Sequence, residues 1–289
     1  MKPAPFAYEA PASVPEALEL LARHGDDAKV LAGGQSLVPM LNLRLARPAV
    51  VVDINGVGGL AGLALRGGTL AVGALVRQRA LERWAAVHAP LCAEALRHLG
   101  HVAIRTRGTV VGSLVHADPA AELPAVFLCC DGALAVHGPG GERIVAAGAL
   151  FQGPLTTSVG SEELAVEARL ALPDERTGWG FSEVARRHGD FALAGAVALL
   201  RRDAGGSADH VRLALFGVGG TPVRGAAAEA ELLGREPTAA RLREAARAAA
   251  AALDPPADIH ATSAYRRRAA AVLAERALAA ALARAGRAA

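Results

Sequence analysis

The chain has 289 residues, 52% of them hydrophobic and 20% charged, which is enough for a sizeable core and for two domains. A net charge of +3 without a long basic run, together with 3% aromatics, supplies neither a basic patch nor stacking platforms, so no nucleic-acid partner is expected. The three cysteines, Cys92, Cys129 and Cys130, are too few and too poorly spaced for a disulfide framework or structural zinc, and they cannot alone hold a four-thiolate iron–sulfur cluster.

The opening "MKPAPFAYEAPAS" has no apolar signal core, and no apolar run approaches the ~18 residues of a membrane span. A cytoplasmic chain without stable membrane insertion is expected, with Cys129 and Cys130 as small buried hydrophobes. Ser13-Val-Pro-Glu16 is a capping-box pattern that opens the amphipathic helix "PEALELLARHG". "AKVLAG" reads as a short buried strand, and "VPMLNLRL" as a helix with Ser36 as its N-cap. The β-branched run "AVVVDI" predicts a strand covered on both faces, completing a small β–α–β–α–β unit.

From Leu60 the pattern changes. "LAGLALRGGTLAVGA" is a hairpin signal around Arg66-Gly67-Gly68, followed by the helices "LVRQRALERW" and "PLCAEALRHLG". A second hairpin, "GALAVHGPGGERIVAAG", turns on Gly-Pro-Gly-Gly, and "LAVEARLAL" is a strand stopped by Pro173. Three antiparallel strands follow in "WGFSEVARR", "FALAGAVALLRR" and "HVRLALFGVGG", and the C-terminal third is helical. Strands and helices are grouped rather than strictly alternating, so the fold class is α+β, with the best domain break near residues 173–178.

No GxGxxG follows a strand, and the P-loop, HExxH and GxSxG patterns are absent. Three segments remain as candidates. Ala32-Gly33-Gly34-Gln35-Ser36 leaves a strand for a helix. Glycines there allow close approach to a ligand, and free amides would favour a phosphate; the alternative is an ordinary strand-to-helix turn. The second is the loop Gly108-Thr-Val-Val-Gly-Ser113, with His116, Asp118 and Glu122 after it. Asp118 is either ligand-facing or the N-cap of a helix containing Glu122, and His116 either a ligand or an ordinary polar residue. The third, "EVARRHGDFALAG", offers Arg186 and Arg187 as phosphate contacts or a solvent face, a Gly189-Asp190 turn, and Phe191 as core or cofactor lid.

In this order, "AGGQSLVPMLNLRL", "IRTRGTVVGSLVHADPAAELP" and "EVARRHGDFALAG" resemble the FAD-binding medium subunit of the molybdenum hydroxylases, the group of carbon monoxide dehydrogenase and bacterial xanthine dehydrogenase. The resemblance covers essentially the whole chain. It implies a two-part FAD-binding domain of vanillyl-alcohol-oxidase (PCMH) type over residues 1–175, with subdomains of about 1–57 and 58–175. A C-terminal domain of antiparallel sheet and helices would occupy 176–289. Leu31, Ala32, Gly33, Gly34, Gln35, Ser36 and Leu37 fall on the family's first flavin loop, and Thr109, Val110, Val111, Gly112 and Ser113 on the second. Glu122 takes the place of an acidic FAD contact, Asp118 sits in the adjacent turn, and Phe191 lies near the isoalloxazine. Gln35 replaces a frequent His, and Ser182 stands where some relatives have Lys, so that contact does not carry over. Val111 replaces a family glycine; a β-branched residue disfavours positive φ, so a β-like backbone or a looser FAD contact is expected there.

The implied task is electron relay from [2Fe–2S] clusters to an external acceptor, with no catalytic side chain and no metal ligand in this chain. A small iron–sulfur subunit and a large molybdopterin subunit would carry the other centres, in a dimer of heterotrimers. The rival readings are a self-contained flavin oxidase or dehydrogenase and a flavin-free assembly subunit.

Overall fold

The computed structural model describes residues 1–286. Its N-terminal lobe runs β1 (Ala7–Glu9), α1 (Val14–His24), β2 (Ala28–Leu31), α2 (Leu37–Asn42) and β3 (Val50–Asp53). β3 lies between β1 and β2, parallel to both. This central place accounts for its unbroken valines: Val50, Val51 and Val52 are all buried. Ser13 Oγ caps α1 by accepting from the Glu16 amide at 3.3 Å, while the Glu16 carboxylate accepts from Ala12 N rather than from the Ser13 amide.

The second lobe contains β4 (Leu63–Arg66), β5 (Thr69–Gly73), α3 (Gln78–His88), α4 (Pro90–His98), α5 (Val102–Arg107), α6 (Val110–His116) and α7 (Glu122–Cys129). It continues with β6 (Ala133–Gly138), β7 (Gly141–Ala146), α8 (Ala147–Leu150), β8 (Phe151–Gly153), β9 (Thr156–Thr157) and β10 (Leu164–Ala171). β4-β5-β10-β6-β7 form one antiparallel sheet. Gly67 and Gly68, at φ +54° and +78°, supply the two positive angles that a two-residue hairpin turn needs.

One expectation and one of two alternative readings fail in this lobe. Residues 109–113 are not a loop: Thr109 Oγ1 accepts from Gly112 N at 3.1 Å and caps α6, which includes Val110–Ser113. Val111 is therefore helical and buried, and its backbone needs neither a positive φ nor a β-like conformation. Asp118 is not a helix cap, because Oδ1 accepts from Ala120 N at 2.8 Å in a local turn and α7 starts only at Glu122, after Ala121.

The C-terminal part contains β11 (Gly178–Ala185), β12 (Ala192–Arg202), β13 (Ala208–Phe216), β14 (Val223–Arg224), α9 (Ala226–Leu232), α10 (Ala239–Ala251) and α11 (Ser263–Arg284). Its four strands form an antiparallel sheet in chain order. β12 serves two cores by strand alternation. Ala194, Ala196, Ala198 and Leu200 pack with the helix layer, and Val197 and Leu199 with the core of the N-terminal lobes. Gly178 and Gly180 let β11 lie against the α11 backbone at Ala281 and Ala277, which is why small residues dominate this layer. Cys92, Cys129 and Cys130 are buried and unpaired. Among the described residues no helix is long and apolar enough to cross a membrane.

Candidate functional site

A cleft of about 1290 Å³ runs between the two N-terminal lobes and is closed by the C-terminal turn at Gly189–Phe191. Its floor is backbone. A Cβ on Gly33 would lie 2.7 Å from Arg107 O, 2.7 Å from Gly108 Cα and 2.8 Å from Thr109 N, so only glycine lets the two lobes meet there. Gly34 follows at φ +72°. Among the described residues, the amides of Gly33, Gly34, Gln35 and Ser36 donate to no backbone acceptor. Buried or half-buried amides without acceptors suit an anionic ligand. Gln35 Nε2 folds back to Gly33 O at 3.2 Å. Ser36, expected as the N-cap of α2, is itself helical in φ and ψ, and its hydroxyl caps nothing.

The cleft gathers nearly every candidate residue. Ala32, Gly33, Gly34, Gln35, Ser36 and Leu37 line one side. Thr109, Val111, Gly112, Ser113, Asp118 and Glu122 line the other, and Phe191 stands at the C-terminal edge. Leu31 and Val110 are not on the wall: Leu31 ends β2, and Val110 is buried in the core. Phe191 is 72% exposed, which overturns its reading as core. The Gly189 turn before it has φ +85° and closes through Asp190 N to Arg187 O at 3.1 Å. Arg186 contacts His260 at 3.2 Å and Arg187 is exposed. His116 lines the cleft, and no cluster suited to a metal ion occurs among the described residues.

Electrostatically the cleft combines free amides with one buried carboxyl, Glu122, which has Glu183 behind it. Burial, then the Glu183 charge, pushes Glu122 up from 4.5 to about 8, against the opposing pull of its own amide and Arg105. Burial pushes Glu183 on β11 up to about 7, and its Oε2 has no hydrogen-bond partner.

Sequence reasoning missed several wall residues, including Gln78, His101, Thr156 and His260. It also missed the ion pair that shapes one wall. Arg105 Nε donates to Glu82 Oε2 at 2.9 Å, and its Nη1 donates to Leu99 O and Gly100 O, each at 2.9 Å. This buried fork holds the 99–101 turn, against which Gly189 packs. A single arginine inside "IRTRG" carries no signal of such burial.

Residues 4–173 match the family model described as FAD binding domain in molybdopterin dehydrogenase, and residues 179–281 match the CO dehydrogenase flavoprotein C-terminal domain. The chain is 43% identical to caffeine dehydrogenase subunit beta of Pseudomonas sp. (strain CBB1), over 81% of this chain and 80% of that protein. It is 40% identical to the 6-hydroxypseudooxynicotine dehydrogenase complex subunit alpha of Paenarthrobacter nicotinovorans, over 99% and 97%. A chain of the carbon monoxide dehydrogenase of Hydrogenophaga pseudoflava superposes with a TM-score of 0.95 at 38% identity, covering 99% of this chain and 100% of that one.

Proposed function

The chain belongs to the FAD-binding medium subunits of the molybdenum hydroxylases, and from that premise we propose that it relays electrons from [2Fe–2S] clusters of a partner subunit to an external acceptor. It is an oxidoreductase subunit with FAD as its cofactor, and the molybdopterin and iron–sulfur centres of such complexes are carried by other subunits. FAD, when bound, would supply the redox chemistry, and the protein its binding, orientation and electrostatics.

The residues of this chain bind and orient. One observation supports this above the others: Gly33 touches the segment Arg107–Thr109 where the first loop, whose amides donate to no backbone acceptor, lines the cleft. The diphosphate of FAD is assigned to this junction, with the amides of Gly33, Gly34, Gln35 and Ser36 as donors on one side and the start of α6 on the other. Gly112 and Ser113 extend that second side. Glu122 would accept or donate a hydrogen bond to the cofactor according to its proton, and Phe191 would cover the isoalloxazine at the mouth. No side chain acts as a general acid or base.

The partners are a small iron–sulfur chain and a large molybdopterin chain in a dimer of heterotrimers. All three cysteines here are buried and free, which leaves none for cluster ligation at the surface. Reduction of the assembled complex by its substrate tests the relay. Cluster bleaching before flavin bleaching is expected. Flavin reduction by the same substrate in the isolated chain would contradict the relay and favour a self-contained oxidase.

A further inference from the structure

The segment entering α3 carries no recognisable motif, yet it holds the carbonyls of the second cofactor segment. Gln78 N donates to Gly108 O at 2.8 Å, and Val110 N donates to Val76 O at 3.1 Å, forming an antiparallel bridge centred on Arg77 and Thr109. Gln78 Nε2 adds a bond to Thr109 O at 3.2 Å. Arg77 reaches both lobes. Its Nη1 donates to Arg107 O at 2.7 Å, and its Nη2 donates to Asn55 Oδ1 at 2.6 Å. Asn55 Nδ2 in turn donates to Ala32 O at 2.8 Å. Asp53 fixes Asn55 by accepting from its amide at 2.9 Å, and is itself held by the Tyr8 hydroxyl at 2.6 Å.

A trans peptide points its N–H away from its C=O. Holding Ala32 O, as Asn55 does, therefore presents the Gly33 amide on the opposite side; the Gln78 amide, by holding Gly108 O, presents the Thr109 amide beside the Arg107 carbonyl that Arg77 fixes. Neither amide has a backbone acceptor among the described residues. We propose that Arg77 and Asn55 are positioning residues for the cofactor, a strut that sets the two lobes so that the Gly33 and Thr109 amides converge on its diphosphate. The guanidinium suits this role because its planar fork serves two acceptors in fixed directions, which a lysine ammonium does not. The proposal rests on the assignment of the diphosphate to this junction.

The test is titration of the full-length chain, stripped of flavin, with FAD and separately with ADP, in parallel with the melting temperature of the stripped chain. R77A and N55A should each raise the Kd for FAD about tenfold, and the Kd for ADP in step. The double variant should be little worse than R77A, since both cut one strut. R77K should fall between wild type and R77A. Unchanged Kd values with a lowered melting temperature, or independent multiplicative effects of the two substitutions, would overturn the strut. Should R77A not fold, N55A decides, because Asn55 is exposed and outside both cores. Wild-type chain that binds neither FAD nor ADP would instead overturn the diphosphate assignment.

Discussion

Gly33 and Arg107 are in backbone contact across the cofactor cleft, so close that a methyl on Gly33 would sit 2.7 Å from the Arg107 carbonyl oxygen. All three neighbours of that notional methyl are backbone atoms, which move only if the lobes part. Gly33→Ala should therefore separate the two cofactor segments and empty the site before it unfolds the chain. Overpacking of this kind costs about 1–3 kcal/mol of stability. The flavin-to-protein absorbance ratio of the purified variant checks this, with substoichiometric FAD expected and full retention counting against the cradle.

Val111 makes the opposite case. The resemblance would put a glycine at its position, but Val111 is helical and 3% exposed within the larger core. Val111→Gly should cost about 2–4 kcal/mol through lost burial and a glycine inside a helix. It should not tighten FAD binding. Denaturant unfolding and FAD titration of the same variant measure both.

Glu122 gives a pH dependence. Burial first, and Glu183 second, hold its carboxyl at about 8 against an ordinary 4.5. The folded chain thus keeps this proton more tightly than the unfolded chain. The corresponding stabilisation is complete below the ordinary range and disappears as pH rises toward about 8. Glu122→Gln mimics the protonated form, so the flavin-stripped variant should gain on wild type as pH rises, by roughly 1.4 kcal/mol per unit at most. Melting temperatures across that range check the sign; a constant difference would contradict it.

Phe191 is 72% exposed, so Phe191→Ala should change stability by less than about 0.5 kcal/mol. If the ring covers the flavin, the variant should change the fluorescence and solvent accessibility of bound FAD. A spectrum identical to wild type would remove Phe191 from the site.

Elements with a strong local pattern were legible in the sequence. The valine run of β3, the Gly67-Gly68 turn and the C-terminal helices were all readable from periodicity and turn chemistry. β1 was implied as the first strand of the β–α–β–α–β unit but not located, because its three residues are exposed and become a strand only by pairing with β3. The helical start at Thr109 was hidden by Gly108 and Gly112, which read as loop until the Thr109 cap is seen. Most candidate wall residues were legible only because three motifs occur in register. Arg77, Gln78 and Asn55 were not, since they act on backbone carbonyls far away in sequence, nor was Arg105, whose partner Glu82 lies on another helix, and such contacts leave no local spacing.

The most direct measurement is the visible spectrum and flavin content of this chain after co-expression with its partner subunits and separation from them. Flavin bands at one FAD per chain, without iron–sulfur absorption, are expected. A colourless chain, or one that carries iron–sulfur bands of its own, would contradict a flavin relay fed by clusters in another subunit.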